Sequence, residues 1–266
     1  MRKLPVFGVF RHAFRSVTDN FAFAWHVSWP WLAVLVPVSL GVESLLPSVD
    51  PEAKDAAAVA ANARAFLGLL ALGVASMFVF SSIAVNWHRY ILKDEIPQGW
   101  ARLRADEVVW RYFGNTLLVI LIVIAATAPV VIIVSLVSGL LALNMDAAGA
   151  LTMAIAGCFA IPLFYRLMLK LPAIAVGNAG VTLRAALEKS AGSSLALCVA
   201  GAVIMAAIFL VGFLLAGIAG LLGAGSGGVA YVVASVLQQL ISWVVTIFTV
   251  TFLTSLYGFF IEGRDF

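Results

Sequence analysis

The stretch Asn86-Trp87-His88-Arg89-Tyr90, with Lys93, Asp94 and Glu95 close behind, brings a His, an Arg and a carboxylate together. Such a trio has a chemistry to offer a phosphate or an ester. The Arg would clamp an anionic group, the His would move a proton and the Glu would orient the His. His88 and Glu95 stand seven residues apart, so they share a helix face only if the helix continues through Lys93 and Asp94. Pro97 argues for a break soon after. Trp, Tyr and Arg are also the residues of a membrane–water interface. On that reading the chain offers headgroup contacts instead of catalysis, and the candidates are Arg11, Arg15, Trp87, His88, Arg89, Arg166 and Lys170.

A second pattern lies further along. Ser235, Gln239, Ser242, Thr246 and Thr249 recur at spacings of four, three, four and three, which places them on one stripe of a helix. Polar groups in hydrocarbon seek partners. The stripe either bonds to neighbouring helices, at about 0.6 kcal/mol per contact on average, or lines one wall of a polar path. The bonding reading is favoured, because no charged residue lies deep in an apolar stretch; Glu43 is the nearest, close to the end of its own. There is no GxxxxGK(S/T) phosphate loop, HExxH zinc motif, GxSxG elbow, CxxC pair or EF-hand loop. Three His and two Cys with no deep acidic cluster would supply a metal poorly. The expectation is therefore no catalytic residue, no cofactor and no metal. Cys158 and Cys198 fall inside apolar stretches and read as small core residues.

The elements that must carry these residues follow from composition. Apolar residues make up 63% of the chain and charged residues 11%, with a mean hydropathy of +1.08. Soluble domains hold about 45–50% apolar and about 25% charged residues, so most of this chain must have lipid as its solvent. Six stretches are long and apolar enough to cross: Trp29 to Leu46, Ala65 to Val85, Thr116 to Leu143, Ala148 to Leu169, Leu195 to Leu222 and Val229 to Phe260. Pro37, Pro129 and Pro162 fall within them and favour kinks. The cations follow the ladder. Arg2, Lys3, Arg11 and Arg15 precede the first span, Arg89, Lys93, Arg102, Arg104 and Arg111 follow the second, and Lys170, Arg184 and Lys189 follow the fourth, with Arg166 just inside it; the gap after the first span sets Lys54 and Arg64 against Asp50, Glu52 and Asp55. The gap after the third span has only Asp146, and Gly223 to Gly228 has no charge. Positive charge thus recurs at every second gap, which predicts a cytoplasmic side holding both termini. A net charge of +3 that sits at segment ends faces headgroups, not nucleic acid.

The short gaps after spans three and five predict tight antiparallel hairpins. Phe7, Phe10, Phe14 and Val17 recur at spacings of three and four, with Arg11, His12, Arg15 and Asp19 on the other arc. This predicts an amphipathic helix in the cytoplasmic interface, and Arg11 and Arg15 interrupt any secretory leader. Trp100, Leu103, Trp110 and Phe113 suggest a second interfacial helix. A surface segment before each rising span (Phe7 to Asn20, Trp100 to Asn115, Val181 to Ser194) gives a loose threefold plan. The predicted fold is all-α: a polytopic integral membrane protein with about six transmembrane helices as three antiparallel hairpins, plus amphipathic interfacial helices on the cytoplasmic side. It forms a single transmembrane domain over 1–266, with an interfacial helix in 1–20 and the bundle in 29–260.

Two phrases carry a resemblance. Ala84-Val85-Asn86-Trp87-His88-Arg89-Tyr90-Ile91-Leu92 then Glu95-Ile96-Pro97 is one; Leu171-Pro172-Ala173-Ile174-Ala175-Val176 then Leu183-Arg184-Ala185-Ala186-Leu187 is the other. They resemble an uncharacterised bacterial six-span inner-membrane family related to the membrane domain that precedes some glycerophosphodiester phosphodiesterases. The resemblance implies a bacterial plasma (inner) membrane location and a multi-pass fold, not an activity. With no phosphodiesterase domain in the chain, no hydrolase activity carries over. The favoured expectation is a non-enzymatic protein that binds or organises lipids or assists envelope assembly. A small permease with a polar path along the sixth helix and an interfacial headgroup enzyme are the alternatives. Expected partners are membrane lipids, with a homo-oligomer or another membrane protein left open, and no nucleic acid.

Overall fold

The structure, a computed structural model, describes residues 3–46, 55–97, 103–221 and 228–266, without the side chains of Glu43 and Ser44. Trp100, Arg102 and most of the uncharged gap 223–228 lie outside the described residues. Every regular element among those described is an α-helix: α1 Val6–Asp19, α2 Phe21–Leu45, α3 Ala56–Lys93, α4 Glu107–Leu140, α5 Met145–Met168, α6 Lys170–Ala175, α7 Leu183–Lys189, α8 Ser194–Leu221 and α9 Gly228–Phe260. Six regions within them are long and apolar enough to cross a membrane. The protein is an all-α polytopic membrane protein, built as the hairpins α2/α3, α4/α5 and α8/α9.

Side-chain caps set several boundaries. Asp55, Asp106, Asn144 and Thr182 each accept a hydrogen bond from a backbone N–H in the first turn of α3, α4, α5 and α7. Asp106 starts α4, and no breaker separates Glu107 from the span, so Trp110 and Phe113 belong to the transmembrane helix itself. The second interfacial helix expected from Trp110 and Phe113 is therefore absent as a separate element among the described residues. Helices run through Pro37, Pro129 and Pro162. The first span begins earlier than hydropathy predicts, at Phe21, directly after a one-residue corner at Asn20. Tyr90 O–H donates to Asn20 Oδ1 at 2.8 Å, and Asn20 Nδ2 donates to Ser16 O at 2.9 Å, so α3 holds that corner.

Packing is concentrated at one end, the end where most cations lie. Ser81–His88 of α3 and Thr251–Phe259 of α9 are buried on every face, which makes these two helices the centre of that end. Around them α2 packs on both, α4 on α3 and α8 on α9, while α5 joins α4 to α8. α1 packs on α9 through Val9, Ala13 and Val17. Phe7 and Phe14 of α1 stay exposed, so the predicted apolar face is split between protein and surroundings. His12 Nδ1 lies 2.8 Å from Ser255 Oγ. Burial, then the nearby Arg264, lowers the pKa of His12 below the ordinary value. At the opposite end the helices spread, with large apolar side chains such as Leu121, Ile133, Phe209 and Phe213 exposed to what must be lipid.

Candidate functional site

His88 is fully buried between α3, α4 and α9. Its Nδ1 lies 2.9 Å from Thr254 Oγ1 and its Nε2 lies 3.1 Å from Tyr112 Oη. Thr254 Oγ1 already donates to Val250 O, so it accepts from His88 Nδ1–H. Nε2 then accepts from Tyr112 O–H. Each proton has a place in this chain of bonds, and the neutral imidazole serves as a bridge between three helices. Asp94 in the left-handed conformation (φ 54°) closes α3 one residue after Lys93 and turns Glu95 back toward Arg89. The helix does not continue to Glu95, so His88 and Glu95 do not share a helix face.

Arg89 is engaged through all three of its nitrogens. Nε and Nη2 grip the two oxygens of Glu95 at 2.8 and 2.6 Å, and Nη1 donates to Ala175 O at the end of α6 at 3.1 Å. The hydrogen bonds from Arg89 hold the Glu95 carboxyl below the usual carboxylate range; partial burial opposes this, and the charges of Arg89, Arg104 and Lys93 add to it. Arg104 reaches Glu95 at 3.8 Å and Asp106 at 2.7 Å. Arg166 donates to Ser190 Oγ at 3.1 Å and to Leu187 O at 2.6 Å, placing its charge at the C-terminal end of α7. Trp87 is fully buried against Phe23, with ring centroids 6.2 Å apart, and its Nε1 has no acceptor among the described residues. Of the seven proposed headgroup contacts, Trp87 and His88 are thus corrected to interior residues. Burial removes both from any headgroup. Arg89 and Arg166 are tied to protein acceptors. Arg11 and Arg15 are exposed and Lys170 is half-exposed.

A polar pocket of about 280 Å³ opens beside Lys170. Arg111, Asn178 and Thr182 share its wall. Its floor is the turn after α6, where Gly177 takes the left-handed conformation (φ 74°). There Gly177 N donates to Ile174 O and Asn178 N to Ala173 O, a Schellman closure. Asn178 Nδ2 donates to Tyr257 Oη at 3.0 Å, which fixes this turn to α9.

The polar stripe of α9 divides. Gln239 Nε2 donates to Ser39 Oγ of α2 at 3.1 Å. Thr246 and Thr249 donate back to Ser242 O and Val245 O. Ser235 is half-buried. Ser242 and Thr246, joined by Gln238, face a cleft of about 450 Å³ toward Gly212, Ala216 and Ala219 of α8. This cleft shares Ile208, Val211 and Val245 with a second, wholly apolar groove of about 370 Å³. Phe10, Phe14 and Val17 of α1 close the groove at the basic end, against Val203 and Ala207 of α8 and Phe248 of α9. The two form one trough from the membrane-spanning part of α8 and α9 down to α1. Cys158 is exposed and Cys198 half-buried, so neither is a core residue.

Several residues that matter at these sites gave no signal in the sequence. Tyr112, Thr254, Asn178 and Thr182 are common residue types whose roles arise only from contacts between distant elements. Arg111 was legible as part of a basic connection, but not its meeting with Lys170. No group of three or more His, Cys, Asp or Glu side chains able to hold a metal occurs among the described residues. No family model, no curated protein and no solved structure matches the chain.

Proposed function

We propose that this is a multi-pass protein of a bacterial plasma membrane, its basic end cytoplasmic, that binds anionic lipids and organises them without catalysing a reaction on them. The alternation of cations along the ladder supports the orientation, and the resemblance of the two phrases supports the membrane. One observation carries the lipid reading: the apolar groove between α1, α8 and α9, with Arg11 and Arg15 exposed on the adjoining arc of α1. An acyl chain in the groove would sit below a headgroup within reach of two cations, each worth about 1 kcal/mol near an anionic surface. The non-enzymatic reading is supported by the splitting of the trio: His88 is bound to Thr254 and Tyr112, while Arg89 and Glu95 are bound to each other. Native mass spectrometry of lipids retained by the purified protein tests it. Arg11→Glu with Arg15→Glu, and separately Ala207→Trp to fill the groove, should each reduce retained anionic lipid several-fold. Unchanged retention in both would contradict the reading. Reporter fusions test the orientation: alkaline phosphatase should be active within 223–227 and silent after Arg104.

A second reading, a small permease, is favoured by Gln238, Ser242 and Thr246 facing the α8/α9 cleft. Single cysteines at those positions should react with a hydrophilic thiol reagent in native membranes if the cleft conducts. Protection at all three removes the path.

A further inference from the structure

We propose that the pocket formed by Arg111, Lys170, Asn178 and Thr182 binds a phosphate group. It shares no residue with the groove between α1, α8 and α9 and does not depend on it. Most of the cations near this pocket are already held by acceptors of the protein. Arg89, Arg104 and Arg166 are fixed by Glu95, Asp106 and the end of α7. Arg184 pairs with Glu188 at 2.8 Å. Lys170 forms no ion pair among the described residues. Among the described residues Arg111 pairs with Glu107, a turn away at 3.9 Å and well exposed on both sides. An exposed pair of that length contributes little, so the guanidinium is free to turn to a better acceptor.

The residues that line the pocket supply the donors of an anion site, and Glu107, the exposed partner of Arg111, is not among them. Thr182 Oγ1 accepts from Ala185 N, and its O–H has no acceptor among the described residues. Asn178 uses one N–H on Tyr257 and its Oδ1 on Gly180 N, which leaves a second N–H. The Arg fork can bond two oxygens of a tetrahedral anion at once, and Lys170 adds a point charge from another element. The turn that carries Asn178 is held by the Gly177 closure and by Tyr257, so the Asn178 amide is positioned before any ligand arrives. At about 280 Å³ the pocket is smaller than the usual range of about 300–1,000 Å³ for whole drug-sized ligands. That size suits a headgroup or a small phosphate, not a nucleotide.

The phosphate can belong to a lipid or be free in solution, and the test separates the two. The full chain is purified in detergent. Binding of inorganic phosphate is followed by calorimetry, and binding of phosphatidic acid and phosphatidylglycerol by native mass spectrometry, with phosphatidylcholine as control. The doubly substituted Arg111→Gln, Lys170→Gln protein should lose about tenfold or more in affinity for the phosphate ligand, since each removed charge–hydrogen-bond contact can exceed one such factor. Its melting temperature should stay near that of the parent, because neither side chain supports the fold. Arg11→Gln with Arg15→Gln should leave this binding in place. Saturable inorganic phosphate binding that displaces phosphatidic acid assigns the pocket to a free phosphate; lipid binding that inorganic phosphate does not disturb assigns it to a headgroup. Equal binding by the parent and the Arg111, Lys170 variant overturns the proposal, as does a parent protein that binds neither ligand above the control. Loss in the Arg11, Arg15 variant alone also overturns it, while leaving the groove reading intact. Should the double variant melt early, Lys170→Met alone, at a half-exposed site, gives the same reading.

Discussion

His88 shows how one side chain can invite a catalytic reading and serve a structural one. Beside Arg89 and Glu95 in sequence it resembles a proton carrier; in the fold it joins Tyr112 on α4 to Thr254 on α9. Sequence adjacency exposes the residue types but not their partners, which lie 24 and 166 residues away. His88→Ala should destabilise the protein by about 2–5 kcal/mol, the range of other large-to-small changes in packed interiors. Most of that comes from the cavity, because hydrogen bonds between membrane helices average only about 0.6 kcal/mol each. Denaturation in detergent followed by circular dichroism measures it, and a change under about 1 kcal/mol would mean the site collapses to fill the space. Arg89 and Glu95 act on the loop after α3. The Glu95 pKa is lowered on folding, so its contribution is complete above the ordinary carboxylate pKa of about 4.3 and is lost as pH falls through the lowered value. Glu95→Gln should therefore reduce the melting temperature at neutral pH and match the parent in acid. With 40% of the carboxylate side chain exposed, solvent screening limits the effect to about 1 kcal/mol. A difference that persists unchanged in acid would contradict the ion-pair account.

At the scale of elements, periodicity told less than length and hydropathy. Ser81–His88 of α3 and Thr251–Phe259 of α9 are buried on every face, so no single stripe marks either helix as central. The six spans were legible because about 20 apolar residues are needed to cross, and lipid tolerates no lesser element. The basic ends of the first three were not: α2 begins at Phe21, α3 runs on to Lys93 and α4 begins at Glu107. α3 has 38 residues, about 57 Å at 1.5 Å per residue, far beyond a hydrocarbon core of about 30 Å. Part of that surplus, Asn86 to Lys93, is polar enough to escape a hydropathy window, and it adjoins the place where the helices meet. Contacts between elements rest on small residues that hydropathy ignores. A Cβ at Gly201 of α8 would overlap Ile161 Cγ2 and come within 3.0 Å of Tyr165 Cε2 on α5. Ile161 is branched at Cβ and cannot swing aside cheaply. Gly201→Ala should cost about 1–3 kcal/mol through overpacking, and Ile161→Ala in the same chain should recover part of it. A double-mutant cycle with no coupling would separate α5 from α8 at this point.

For the whole molecule, the charge pattern of the ladder and the packing of the bundle point to one polarised object. One end is cationic, closely packed and tied by Arg89, Arg166, His88 and Asn178. The other is open, apolar and spread. The candidate headgroup contacts were legible as a side of the membrane, not as individuals. Of the seven, burial withdrew Trp87 and His88 and protein acceptors engaged Arg89 and Arg166, facts that only tertiary contact decides. The trough from the α8/α9 cleft to α1 could not be read at all, because it is formed by the absence of contact between neighbours. It bears the central claim, that this protein holds anionic lipid in a defined place. A diazirine-bearing anionic lipid, photolysed in native membranes and mapped by mass spectrometry, measures that claim directly. Crosslinks should concentrate at Ala207, Val211, Val244 and Phe248, and fall when Arg11 and Arg15 are reversed to Glu. Crosslinks spread evenly over ordinary lipid-facing positions such as Leu121, Ile133 and Phe213, with no response to the charge reversal, would contradict it.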